Sequence, residues 1–260
     1  MKIAPTLPGR GSPCVALPLR ARDAQSGSCS GCSCSTTWLS SGLDEGDLGH
    51  LESVVSARRR VTRGTMLFKA GDPFHAIYAI RRGFMKSVVT RKGGAEQVSA
   101  FYMVGELLGL DGMGRGRYDS SAVALEDTEV CVLPFSLIAQ LAHERPSFQH
   151  RLYAVLSREI SRNQNVMLLL GTMRAEERLA AFLLSLSSRF ARRGHSPFEL
   201  SLRMTRDDIG SYLGLTLETV SRLFGRFRNA GLLEVDQRIV RIRDYAGLKA
   251  VLSEGGAPTD

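Results

Sequence analysis

The stretch MTRDDIGSYLGLTLETVSRLFGRFRNAG at residues 204–231 decides the fold, because it holds two short helical patterns separated by a glycine turn. Thr205 followed by Asp208 predicts a capping box, in which the hydroxyl accepts a backbone amide and the carboxylate reaches back. Ile209, Tyr212 and Leu213 supply the apolar face of this first helix. Gly214 provides the left-handed conformation of a sharp turn, and Thr216 caps the second helix. At about 100° per residue, Val220, Leu223, Phe224 and Phe227 share one face, and Glu218, Ser221, Arg222 and Gly225 the opposite one. A helix buried on one side and polar on the other, after a tight turn, is how a helix-turn-helix presents side chains to the major groove. Arg222 has the fork to bind guanine, Glu218 can accept from cytosine N4, and Ser221 suits a base or a phosphate. Thr219 and Arg206 complete the candidate DNA-facing set. A helical hairpin with a solvated charged face has the same spacing, so residue identity must decide between them.

Identity points to DNA. The run ETVSR at 218–222, with VCVLPF at 130–135 and AEERLAAFLLSLSSRFARRG at 175–194, resembles the Crp/Fnr superfamily of bacterial transcription regulators, and ETVSR its Fnr type. The resemblance spans roughly 43–248. It implies a homodimer that reads a TTGAT-type inverted repeat in double-stranded DNA. The segment GLDGMGRGR at 109–117 reads as an exposed, mobile loop and falls where activators of this family touch RNA polymerase.

The chain has 260 residues, enough for two domains, and 43% hydrophobic residues allow each a core. No apolar run is long enough to span a bilayer and the first thirty residues lack a signal-peptide core, so no membrane partner and a cytoplasmic location are expected. The net charge of +8 suits a polyanion, and residues 172–250 carry fourteen Lys/Arg against nine Asp/Glu.

Four of the five cysteines, Cys14, Cys29, Cys32 and Cys34, lie in a Gly-, Pro- and Ser-rich segment at 1–41 that lacks any period and reads as mostly disordered. The fifth, Cys131, sits in an apolar strand pattern. Clustered cysteines in the cytoplasm favour metal or redox chemistry over structural disulfides, and an unstructured thiol-bearing tail is the alternative. The family resemblance implies a 4Fe-4S cluster held by three amino-terminal cysteines and one distant cysteine. Cys29 and Cys32 match its C-x-x-C pair and Cys131 its distant ligand, but Trp38 stands where the third amino-terminal ligand is usual. Cys34 is the nearer substitute and Cys14 the remoter one. A cluster-free regulator, constitutive or controlled by thiol oxidation, is the competing expectation. An enzyme is not expected, since no thioredoxin-like pattern surrounds Cys29 and Cys32 and no base accompanies a cysteine.

The fold expected is α+β, with a cysteine-bearing segment at 1–41, an antiparallel β-roll sensor at 42–141, a dimerisation helix at 142–172 and a winged helix-turn-helix at 173–260. The roll is read from short β-rich runs punctuated by glycine. In cyclic-nucleotide-binding members a Gly-Glu pair holds the ribose and an Arg-Ser pair the phosphate. Here Gly105-Glu106 is present but the second pair is Ser120-Ser121, so cyclic AMP is not expected and Gly105-Glu106 reads as a strand-ending turn. The five histidines suggest no haem site. In the long helix, Tyr153, Leu156, Ile160, Asn163, Met167 and Leu170 form a coiled-coil seam, while Phe148, Leu152, Val155, Val166 and Leu169 form a second stripe for the roll. Asn163 occupies a seam position that in Fnr-type relatives resembles one held by an acid. Residues 232–243 read as a two-stranded wing offering Arg238, Arg241 and Arg243 to phosphates.

Overall fold

A computed structural model describes residues 45–90 and 93–253. The described residues open with helix α1 (Glu45–Val54), followed by eight strands, β1 (Ala57–Val61), β2 (Met66–Phe68), β3 (Ala76–Arg82), β4 (Phe84–Thr90), β5 (Glu96–Met103), β6 (Leu107–Leu108), β7 (Ser121–Ala124) and β8 (Thr128–Pro134). They make two four-stranded sheets, ordered β1-β8-β3-β6 and β2-β7-β4-β5, with every pairing antiparallel. Val61, Leu67, Phe68, Ile80, Met85, Tyr118 and Val130 fill the space between the sheets. This is the expected β-roll.

The outer face of the first sheet is covered by α1, α2 (Phe135–Glu144) and the first half of α3 (Pro146–Thr172). Pro146 stands at the start of α3, where its missing N–H costs nothing. Phe148, Leu152 and Val155 bury the first part of the predicted roll-facing stripe against Ile77, Ala79 and Leu133, whereas Leu169 joins the apolar cluster of the DNA-binding half and Val166 is only half-buried. The seam residues Tyr153, Ile160 and Met167 stay 57%, 59% and 73% exposed, and Asn163 is exposed between them. Leu156 and Leu170 are half-buried, packed respectively on the roll-side cluster and on the DNA-binding half. Helix α2 runs through the boundary expected at 141/142.

Two residues, Met173 and Arg174, separate α3 from α4 (Ala175–Ala191). Strand β9 (Glu199–Ser201), helices α5 (Arg206–Leu213) and α6 (Leu217–Asn229), the hairpin β10 (Leu233–Asp236) and β11 (Ile239–Ile242), and α7 (Tyr245–Ala250) follow. The wing is therefore three-stranded, in the order β10-β11-β9. The sequence pattern did not reveal β9, which is only three residues long.

The core of this half runs without interruption onto β5, since Val98, Phe101 and Met103 belong to the same apolar cluster as Leu179, Leu183, Ile209 and Phe224. Polar contacts follow the same seam. Lys86 Nζ of β4 lies 2.5 Å from Asp208 Oδ1, and the Ser211 hydroxyl accepts from Val98 N at 2.9 Å.

Two expectations for the roll change. Gly105 (φ 84°) does turn the chain, but Glu106 is a buried ionic hub as well as part of a turn. Its carboxylate takes Arg189 Nη2 of α4 at 2.6 Å and Arg193 Nη2, from the turn that follows α4, at 2.7 Å. Burial pushes the Glu106 carboxyl up, yet Arg189, Arg162 and Arg193 outweigh it and hold it at about 2. The segment 109–117 is an ordered turn. Leu110–Gly112 forms a 3-10 turn, Gly112 is buried against Phe74, and Arg117 donates to Gly71 O at 2.8 Å.

Candidate nucleic-acid interface

The helix-turn-helix is built by the caps the sequence predicts. Thr205 Oγ1 accepts from Asp208 N at 3.0 Å, and Asp208 Oδ2 accepts from Thr205 N at 2.8 Å. Gly214, at φ 66° and ψ 38°, ends α5, and Leu215 N donates to Gly210 O at 2.9 Å to close the turn. That turn needs a bare glycine on the helix too. A Cβ at Gly210 would stand 2.6 Å from Leu215 O. Thr216 Oγ1 then accepts from Thr219 N at 3.2 Å to start α6.

Helix α6 buries Val220, Leu223, Phe224 and Phe227 and leaves Glu218, Ser221 and Arg222 exposed, so the two faces separate as the periodicity predicts. Arg222 Nη2 lies 3.4 Å from Thr219 Oγ1, which draws the guanidinium toward the amino-terminal end of the helix. Hydrogen bonds from its own backbone amide and from Thr216 hold the Glu218 carboxyl below its ordinary range, so it stays an acceptor at neutral pH. A fork donor and a carboxylate acceptor one turn apart on an exposed helix can address adjacent base edges.

Arg206 stands apart from this set. Its guanidinium carbon lies 3.3 Å from the centroid of the Phe224 ring, and its Nη1 is buried with no hydrogen-bond partner. Burial draws the group down to about 10. A phosphate oxygen reaching this point would supply the acceptor that Nη1 lacks.

The wing also differs from the reading of its arginines. Arg241 pairs with Glu199 at 2.9 Å and Glu234 at 3.2 Å, and Arg243 Nε donates to Glu234 at 2.8 Å, so both are engaged within the sheet. Arg238, beside Gln237 (φ 49°) at the hairpin tip, is exposed.

Of the candidate ligands, Cys131 is fully buried in β8, opposite Ala79 on one side and Arg58 on the other. Leu51 and Val54 of α1, with Leu152 and Val155 of α3, belong to the same buried apolar cluster. Cys14, Cys29, Cys32, Cys34 and Trp38 lie outside the described residues. Among the described residues no group of three or more His, Cys, Asp or Glu could hold a metal ion. No helix among the described residues is long and apolar enough to cross a membrane.

Comparisons with known proteins agree with this architecture. Residues 177–251 match the model of a Crp-like helix-turn-helix domain and residues 58–145 that of a cyclic nucleotide-binding domain. The chain is 44% identical over 226 residues to the transcriptional regulatory protein btr of Bordetella pertussis, covering 87% of this chain and 93% of that protein. It is 42% identical over 220 residues to the fumarate and nitrate reduction regulatory protein of Escherichia coli, covering 85% and 88%. A solved structure of FixK2 from Bradyrhizobium japonicum superposes with a TM-score of 0.69 at 29% identity, covering 75% of this chain and 96% of that one.

Proposed function

The chain belongs to the Crp/Fnr family of DNA-binding transcription regulators, and to its Fnr type, and from that premise we propose that it is an oxygen-responsive homodimer reading a TTGAT-type inverted repeat. The observation that carries the DNA reading is α6, whose Glu218, Ser221 and Arg222 are exposed on one side while its other side is locked into the core. Glu218, Ser221 and Arg222 read bases, and Thr219 and Arg206 meet the backbone. A pair of such helices related by a two-fold axis suits a palindromic site, and the exposed stripe from Tyr153 to Met167 is the surface that brings two chains together. The segment 109–117, with Arg115 at its surface, is the face offered to RNA polymerase.

The sensing reading rests on Cys131. Its thiol belongs to the same apolar cluster as Leu51 and Val54 of α1, the first described element after the cysteine-bearing segment. Cys29, Cys32 and Cys131 would be ligands, with Cys34, or in its place Cys14, as the fourth. Such a cluster would supply an oxygen-labile redox centre, shielded on the Cys131 side by Leu152 and Val155. Cyclic AMP is not the signal in this reading. Glu106 is taken by Arg189 and Arg193, the Ser120 hydroxyl donates to Asp111 at 2.7 Å, and that of Ser121 accepts from Ala70 N at 2.9 Å.

Trp38 in place of a cysteine favours a second reading, a cluster-free regulator governed by thiol oxidation. Anaerobic reconstitution followed by absorbance, iron and sulfide analysis separates the two. Brown protein that bleaches in air supports the cluster, with the colour lost in Cys29→Ser, Cys32→Ser and Cys131→Ser and more fully in Cys34→Ser than in Cys14→Ser. Colourless protein with negligible iron and sulfide removes the cluster and leaves the thiol switch.

A further inference from the structure

The capping box that starts α5 needs only two residues, yet here it has a third member from the other half of the chain. Asp208 Oδ2 accepts from Thr205 N at 2.8 Å and from Thr205 Oγ1 at 2.7 Å, which completes the box. The second oxygen, Oδ1, receives Lys86 Nζ of β4 at 2.5 Å. Asp208 is buried and Lys86 half-buried, so the pair lies inside the junction between the roll and the DNA-binding half.

Two more contacts tie α5 to the same sheet. Strand β5 is the edge of β2-β7-β4-β5, so its outer backbone groups have no strand to pair with. Val98 N donates to Ser211 Oγ at 2.9 Å, and the Phe101 ring lies 5.2 Å from that of Tyr212. Asp208, Ser211 and Tyr212 share one face of α5, since they are three and four residues apart. Gly210 and Arg206 lie roughly on the opposite side and hold α6. Leu215 N donates to Gly210 O at 2.9 Å, and the Arg206 guanidinium covers the Phe224 ring. In a close-packed junction of this kind, a tilt of α5 carries α6 with it.

We propose, given that α6 reads DNA as set out above, that Lys86 is a positioning residue for that reading: from β4 of the roll it fixes the start of α5 and through it the angle of α6. This is a direct route from the roll to the reading helix that does not pass along α3. Base recognition is the property most exposed to a loosened α5. Hydrogen bonds to base edges need donor and acceptor within about 2.7 to 3.2 Å and nearly in line, whereas long arginine side chains can follow a displaced phosphate. Loss of the Lys86 contact should therefore cost specific binding and spare non-specific binding.

Lys86→Met keeps most of the side chain's length and removes its charge. In anaerobically reconstituted full-length protein, fluorescence anisotropy should show an affinity for a TTGAT inverted repeat about tenfold below wild type. The affinity for a random-sequence duplex of equal length, and its salt slope, should not change, and Lys86→Arg should restore most of the loss. Ser211→Ala, which removes the acceptor of Val98 N, should act in the same direction and serves if Lys86→Met fails to fold. A lysine that touched a phosphate would weaken both duplexes and lower the salt slope by about one, and a lysine that only stabilised the fold would leave the ratio of the two affinities as it is. Either result overturns the proposal. Hydrogen exchange of the DNA-free protein reads the same contact without DNA: amides of α5 and α6 should exchange faster in Lys86→Met than in wild type, while those of β3 and β8 keep their protection. Unchanged protection of α5 and α6 would overturn the proposal too. It decides the matter even if wild type shows no preference for the TTGAT duplex, a result that counts against the proposed half-site alone.

Discussion

Replacing Glu106 by Gln tests how firmly the DNA-binding half is fixed to the roll. Glu106 is only 5% exposed, and its carboxylate joins Arg189 of α4 and Arg193 of the turn after it to the turn after β5. Its carboxyl is held at about 2 against an ordinary value of 4.5, and the difference converts to about 3 kcal/mol of stabilisation at neutral pH. That agrees with the roughly 3 to 5 kcal/mol lost when one member of a buried ion pair is removed. For a chain of this size the thermal midpoint should fall by about 6 to 12 °C. Because the folded-state value is depressed, the contribution is complete above about pH 4.5 and is lost as pH falls toward 2. The wild-type and Glu106→Gln proteins should therefore differ by a constant amount from pH 5 to 8 and converge below pH 4.5, by about 1.4 kcal/mol per pH unit. Urea unfolding followed by circular dichroism across this range reads both. A variant within a degree or two of wild type at pH 7, or a gap that does not narrow in acid, would refute the assignment of Glu106 as the clamp.

Two further substitutions probe the parts that present α6 and pair the chains. Gly210→Ala drives a methyl to 2.6 Å from Leu215 O, so it should destabilise the helix-turn-helix by about 1 to 3 kcal/mol, seen as a lower unfolding midpoint and weaker DNA binding. Asn163→Asp places two like charges across the proposed two-fold axis. Sedimentation of the air-exposed protein should show wild type largely dimeric at micromolar concentration and the Asp variant shifted to monomer, more so at low salt. Equal dimerisation of the two would remove Asn163 from the account of signal control.

What the sequence made legible was short-range. The capping box at Thr205 and Asp208, the Gly214 turn, the two faces of α6 and the Phe148, Leu152 and Val155 part of the roll-facing stripe follow from spacings of two to four residues, which backbone geometry fixes directly. Contacts across the fold carry no such period. Glu106 finds Arg189 and Arg193 at separations of 83 and 87 residues, and Lys86 finds Asp208 at 122. Asp208 could be read as a cap, but nothing local told of its second partner. Arg206, Arg241 and Arg243 looked alike as exposed basic positions. Folding stacks the first on Phe224 and pairs the other two with acids on neighbouring strands, because a nearby ring or carboxylate offers a better place than bulk water. Strand β9 escaped notice because three residues cannot show an alternation and it exists only by pairing with β11.

The most direct test of the central claim is fluorescence anisotropy of anaerobically reconstituted protein on a duplex carrying a TTGAT inverted repeat, set against duplexes with single base changes in each half-site. The account predicts specific binding that weakens on exposure to air, and an Arg222→Ala variant that loses about 1 to 3 kcal/mol per half-site together with discrimination at one base position. Arg222→Ala protein that keeps both its affinity and its base preference would contradict the account.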